Sequence, residues 1–425
     1  MKKIFLLLFF AVSYKAFSQT NPVIDVREVE RVERILSSDE MQGRKVFTPG
    51  IDKAADFIAS EFKAAGLKTW NNNGAYRQEF MMVRPRFVSI KGEINDEEVD
   101  PKNIIAITSK KELEVKEKSG YEIAYIKAGQ NLFKQAAAFV QSNKNMVVFV
   151  DTSFSKNFSK LTGLKRQLFK SNNSVVFFLT SDNVKEFKVK ANHEINEQKL
   201  SNVLGVLAGK GKANEYVVFS AHYDHLGIGR PVENDSIYNG ANDDAAGTTA
   251  VIMLAKYFEQ LKNNERTLIF VAFTAEETGG YGSQFFSKQL DPKQVIAMFN
   301  IEMIGTESKW GKNSAYITGY DKTDMGKIMQ ENLKGTEFAF HPDPYPEQDL
   351  FYRSDNATLA RLGVAAHTIS TSKMDNEPNY HKPSDEIETL DMENMAAIIR
   401  AIAKSSVSII NGKTTPTRVK VEDLR

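Results

Sequence analysis

Tyr216–His225 reads YVVFSAHYDH, an apolar run rich in β-branched and aromatic residues that breaks off into His222, Asp224 and His225. The pattern recurs downstream: Thr267–Glu277 (TLIFVAFTAEE) ends on Glu276 and Glu277, and Val295–Met303 (VIAMFNIEM) carries Glu302 at its end. Asn202–Gly209 (NVLGVLAG) and Gly363–Ser370 (GVAAHTIS) have the same texture. Such uniformly apolar runs suit strands covered on both faces; half-exposed strands alternate instead. Within Ala245–Leu261, Ala246, Ala250, Val251, Leu254, Tyr257, Phe258 and Leu261 share one helical face. Strands alternating with helices predict an α/β fold, a three-layer α/β/α sandwich with a mixed, mostly parallel central sheet. Open sheets of this kind bind ligands beyond the carboxyl ends of their strands. The histidines and carboxylates stand at those ends.

Upstream, Gly50–Gly66 (GIDKAADFIASEFKAAG) places Ile51, Ala54, Ala55, Phe57, Ile58 and Phe62 at helical spacing and closes on a glycine suited to a C-cap. From Arg84 to Gln198 short apolar runs (IIAIT, YEIAYI, NMVVFV, SVVFFLT) alternate with Lys, Asn and Ser clusters, which predicts a small β-rich inserted domain over 84–198. The main domain is then expected over 19–83 and 199–412, with a C-terminal tail over 413–425. Met1-Lys2-Lys3, the apolar stretch Ile4–Val12 and Ala16-Phe17-Ser18 follow the order of a secretory signal peptide, so residues 1–18 are expected to be removed. This implies an exported protein, periplasmic or extracellular in a bacterium, and the absence of cysteine fits that setting. The apolar stretch is shorter than the roughly 20 residues a membrane span requires. With 55 basic and 54 acidic residues the chain has no electrostatic basis for a nucleic-acid or anionic-membrane partner, so a local site must carry the function.

Each element of that site has an ordinary explanation when taken alone. His222 ends a strand, and Asp224, two residues on, could orient its imidazole as a carboxylate does for a metal-bound histidine. His225 competes with it as a ligand, or is a surface histidine at a strand end. Asp243 and Asp244, in Gly240–Gly247 (GANDDAAG), precede a helix where an N-cap would account for them. Their company argues otherwise. Glu276 and Glu277 repel each other unless a cation or proton offsets them, and Glu302 is costly to bury unpaired. His381 follows in Asn379–Asp385 (NYHKPSD), on a loop of turn residues. His222, Asp243, Glu277, Glu302 and His381, with one carboxylate shared, make the mixed nitrogen and oxygen donor set that suits zinc and leaves positions open to solvent.

Other motifs fail on spacing. His193-Glu194 opens like the H-E-x-x-H helix, but position 197 is Glu; Gly205–Lys210 is one residue short of a phosphate-binding loop; no G-x-S-x-G elbow occurs among the strands.

The motifs MQGRKVFTPG, NVLGVLAG, AHYDHLG, NGANDDAAGT, AEETGGYGS, FNIEMIG, RSD and YHKPSDE stand in an order that resembles the M28 family of zinc aminopeptidases. The resemblance covers most of the chain outside 84–198, where many relatives carry a protease-associated domain. It implies the zinc exopeptidase fold and two zinc ions, one held by His222 and Glu302, the other by Glu277 and His381, with Asp243 bridging. It also implies Asp224 as the group orienting His222, Glu276 as general base, and a cis peptide between Asp243 and Asp244. Peptides with a free N-terminus would be the substrates. Tyr380, beside His381, is a candidate oxyanion donor or a packing residue. Glu302 departs from the Asp more usual in the family and is one methylene longer, which bears on whether the first site closes. Asn356 stands where many relatives have His. Rival readings are a glutaminyl-peptide cyclotransferase using one zinc, a carboxypeptidase, and a non-catalytic binding module on the same fold, for which lost ligands would be the signature.

Overall fold

A computed structural model describes residues 24–181 and 183–425; the expected signal segment, 1–18, lies outside them. The main sheet runs, from one edge, Ala339–Pro342, Ser314–Ile317, Ala365–Ser370, Val295–Ile301, Lys212–His222, Arg266–Phe273, Phe187–Leu207, Arg77–Ile94 and Glu97–Val99. The Arg266–Phe273 strand is buried at every position, as its unbroken apolar run requires. Phe219 pairs in register with Phe270 and Phe299, and the three rings stack at 5.5 and 5.0 Å on the face covered by helices Val26–Leu36, Pro49–Ala64, Ala246–Leu261 and Met392–Ser405. The alternate residues Val218, Ile269 and Met298 face the opposite layer with Phe286 and Leu359. The architecture is therefore three layers around a mixed sheet.

Parallel pairing joins Ala365–Ser370, Val295–Ile301, Lys212–His222 and Arg266–Phe273, and recurs between Ser314–Ile317 and Ala339–Pro342. Elsewhere the sheet is antiparallel, so "mostly parallel" describes its centre and not its whole width. At the edge formed by Phe187–Leu207 and Arg77–Ile94 the reason lies in the insertion. Arg77–Ile94 leaves the sheet and Phe187–Leu207 returns to it, paired from Arg77↔Val203 to Ile94↔Phe187 with one irregularity between Phe87 and Ser89. A chain that goes out and comes back along itself is antiparallel.

At the far end of this ribbon a second sheet orders Ile104–Thr108, Ser174–Leu179, Met146–Val150 and Glu122–Ile126, with helix Leu132–Gln141. Its last three strands are parallel, and Val147, Phe149, Val176 and Phe178 lie on one face while Met146, Val148 and Phe177 lie on the other. The expected bounds 84 and 198 fall inside the ribbon, where Arg84 pairs with Asn196 and Met82 with Gln198. Among the described residues no helix is long and apolar enough to cross a membrane.

Candidate metal centre

The carboxyl ends of the three central parallel strands deliver His222, the Glu276-Glu277 turn and Glu302 to one place. Asp243 reaches the same place from the irregular turn Ala241–Ala245 that enters helix Ala246–Leu261. The Asp243-Asp244 peptide is cis. His381 comes from the loop after Ala365–Ser370, with a left-handed φ of 56°.

Asp243, 2% exposed, lies at the centre. Its Oδ1 is 3.3 Å from His222 Nε2, and its Oδ2 is 3.2 Å from His381 Nε2. Glu277 Oε1 lies 3.3 Å from His381 Nε2 and 2.9 Å from His225 Nδ1. Donor atoms of His222, Asp243 and Glu302, and separately of His225, Asp243 and Glu277, all fall within 4.8 Å of one another. The longer Glu302 side chain thus reaches the first group.

His225 is the residue that sequence reasoning undervalued. It is 2% exposed, not a surface histidine, because its N–H donates to the Arg44 carbonyl and holds the segment inward. The second histidine of HYDH was the only signal. His225 and His381 both approach Asp243 and Glu277.

The donor set fits a divalent cation. His222 Nε2, His225 Nε2 and Glu302 Oε2 are buried without a hydrogen-bond partner, a costly arrangement for groups that otherwise satisfy themselves. The electrostatics agree. Burial pushes Glu302 and Asp224 up to about 7 and Glu276 well above the carboxylate range. Asp243 resists burial and is held low by His222 and His381, as Glu277 is by His225 and His381. Burial alone would lower His222, yet Asp243 and the charges of Glu276 and Asp244 raise it well above its ordinary value. So many buried carboxyls can ionise together only against a cation.

Positioning groups surround the donors. His222 Nδ1 lies 3.1 Å from the Asp224 carbonyl oxygen and 3.8 Å from its carboxylate. The backbone of Asp224, not the expected side chain, therefore makes the hydrogen-bond contact with this histidine. The carboxylate instead accepts from the N–H groups of Glu276 and Glu277 at 3.0 and 3.4 Å, fixing the turn that presents both. Asp244 accepts from the N–H groups of His222, Gly247 and Met303. Asp385 accepts from those of Asn242 and Asp243 at 2.9 and 3.0 Å. Arg44, fully buried, donates to the carbonyls of Leu36, Tyr223, Asn239 and Gly240, clamping the segments on either side of the site. Asn356 bonds the carbonyls of Phe351 and Ala366 and accepts from Thr368, away from the donors.

Tyr380 stacks on the His381 ring at 3.9 Å and lines the cavity together with Glu276, Met303, Tyr316 and Arg353. Burial and the surrounding carboxylates raise its phenol, which keeps it a donor.

Residues 202–406 match peptidase family M28. Aminopeptidase YwaD of Bacillus subtilis is 24% identical over 361 residues, 78% of this chain and 70% of that protein. The solved structure of BSAP, a zinc aminopeptidase from Bacillus subtilis, aligns with a TM-score of 0.54 at 17% identity over 96% of this chain and 98% of its own. A glutaminyl cyclase from Bacteroides thetaiotaomicron aligns at 0.51 and 13% identity over 91% and 99%, so the fold by itself does not separate the two chemistries. The matched segment, just under half of the chain, holds every expected ligand in the family's motif order, so residues 202–406 read as a peptidase family M28 segment.

Proposed function

We propose that the protein is a zinc-dependent aminopeptidase removing the N-terminal residue of peptides. The observation that carries this reading is Asp243 standing between two groups of histidine and carboxylate donors, with Glu276 on the wall of the same cavity. His222, Asp243 and Glu302 would hold one zinc, and Asp243, Glu277 and His381 a second, with His225 bracing Glu277. When bound, zinc supplies Lewis acidity towards a peptide carbonyl and a water nucleophile at neutral pH.

The chain's own residues supply the rest. The Glu276 carboxylate takes the proton of the attacking water and returns it to the leaving amine nitrogen, which contributes about 10²- to 10⁴-fold. The Tyr380 hydroxyl donates to the developing oxyanion. The side chain of the removed residue sits in the same cavity, where Met303, Leu350 and Met374 share the wall with Thr318, Ser370 and Ser372. The free α-amine lies against the carboxylates, so the cut falls after the first residue. The N-terminal signal reading, and with it export, belongs to the same proposal.

Glu276→Gln should keep its zinc and its fold yet lose nearly all hydrolysis of Leu- and Ala-anilides, while chelation silences the wild type. Retained turnover in the variant would remove Glu276 from the role of base. A pyroglutamyl product from Gln-peptides, with no residue released from the anilides, would establish the cyclase reading instead.

A further inference from the structure

The turn that carries Glu276 and Glu277 has a second side. Its two glycine N–H groups, from Gly279 and Gly280, both donate to the Glu276 carbonyl at 2.9 and 3.0 Å, closing it tightly. Thr278 and Tyr281 then line a recess walled by Arg84 and Arg86 of the ribbon and by Arg166 and Gln167 of the insertion. The recess measures about 850 Å³, against about 100 Å³ for the catalytic cavity beside it, so it has room for several residues where the other takes a side chain.

Its charge is unbalanced. Arg86 is paired with Glu194, Nε to Oε2 at 2.8 Å. Among the described residues the guanidinium groups of Arg84 and Arg166 have no carboxylate partner. Gln167 Nε2 is a buried donor with no acceptor. Two solvent-exposed guanidinium groups without an ion-pair partner and the Gln167 amide thus line a recess whose one carboxylate, Glu194, is already engaged by Arg86. An incoming carboxylate would satisfy them, and guanidinium forks recognise that group in bidentate fashion.

Resting on the aminopeptidase reading, we propose that this recess binds a carboxylate on the C-terminal side of the substrate, so that the enzyme favours short peptides with a free C-terminus. Glu277 and Tyr281 are four Cα steps apart, at most about 15 Å, which is the reach of roughly four extended residues. A tetrapeptide with its N-terminus at the metal centre is therefore long enough to pass this turn and enter the recess that Thr278 and Tyr281 line together with the arginines.

The test is calorimetric titration of the zinc-loaded, full-chain Glu276→Gln protein, which leaves peptides uncut, with Leu-Ala-Ala-Ala as free acid, as C-terminal amide, and as the amide with Glu at the fourth position. The free acid should bind about tenfold or more tighter than the plain amide. Adding Arg84→Ala and Arg166→Ala should erase that difference while the amide's affinity holds, and Arg166→Glu alone should reverse it. If the Glu-bearing amide matches the acid, the carboxylate is recognised whatever its source; if only the acid gains, the terminal group is specified. Equal affinity of all three peptides, or an acid preference that survives both arginine substitutions, overturns the proposal. Binding is read without turnover, so a wild type inactive on anilides would count against the proposed activity and not against the recess.

Discussion

Asp244 ties together chain segments that meet only in the folded protein. One of its oxygens accepts from Gly247, at the start of a helix, and from Met303, next to Glu302, each at 3.0 Å; the other accepts from His222 at 3.3 Å. It binds no metal in the proposed scheme, yet it fixes the backbone of two proposed ligands. Asn at this position keeps one acceptor and turns an NH₂ group towards an N–H, donor against donor. Asp244→Asn should therefore retain the fold by circular dichroism and lose about 10- to 100-fold in zinc affinity, the usual cost of removing a group that orients ligands. Wild-type affinity in a metal-competition titration would show that the three N–H bonds do not govern the site. At this scale the sequence was informative about chemistry and poor about direction. The acidic and histidine residues at strand ends were legible, because charge closing an apolar run needs a reason. That Asp224 meets His222 through its carbonyl, and that His225 points inward, were not, since both depend on the Arg44 clamp formed by a segment some 180 residues upstream.

Helix Val26–Leu36 packs its buried Glu33 against helix Ala246–Leu261, where Thr249 donates to Oε2 at 2.8 Å and Oε1 has no partner. Burial raises this carboxyl to about 8, although Thr249 and the Arg44 charge work in the opposite direction. The unfolded chain releases the same proton near pH 4.3. Between these values the folded state holds a proton that the unfolded state has lost, so stability falls as pH rises from about 4.3 to 8, by up to about 1.4 kcal/mol per pH unit. Glu33→Gln removes that dependence. Its unfolding free energy relative to wild type should therefore climb from pH 5 to pH 8, whatever constant offset the amide brings, and parallel stability curves would exclude the shift. Among the elements, helices were legible from their period and the central strands from unbroken apolar, β-branched-rich runs, whereas the ribbon was not. Arg77–Ile94 mixes exposed and buried positions and contains Pro85, which in sequence argues against a strand. Pairing with Ile195 over a long antiparallel partner overrides that signal.

The molecule as a whole has separate apolar cores, on either side of the main sheet and on either side of the insertion's sheet, joined through the ribbon and a small cluster of Phe80, Met82, Leu200 and Ala275. Every proposed metal donor belongs to the main sheet's ends or its loops, and none to residues 95–186. Because ligands gather only in the folded state, zinc binding adds directly to folding stability, about 2.7 kcal/mol when free metal exceeds its dissociation constant a hundredfold. That gain belongs to the unit holding the ligands. Removing zinc should thus speed hydrogen exchange about a hundredfold at the best-protected amides of Lys212–His222 and Arg266–Phe273. The buried carboxyls left without a counter-charge act in the same direction. Amides of Ile104–Thr108, Met146–Val150 and Ser174–Leu179 should keep their protection, because their core touches no donor. Exchange measured by mass spectrometry with and without chelator separates the cases. Equal loss in both sheets would mean that the ribbon couples them into one cooperative unit, and no loss in either would mean that the donors gather as well without metal as with it.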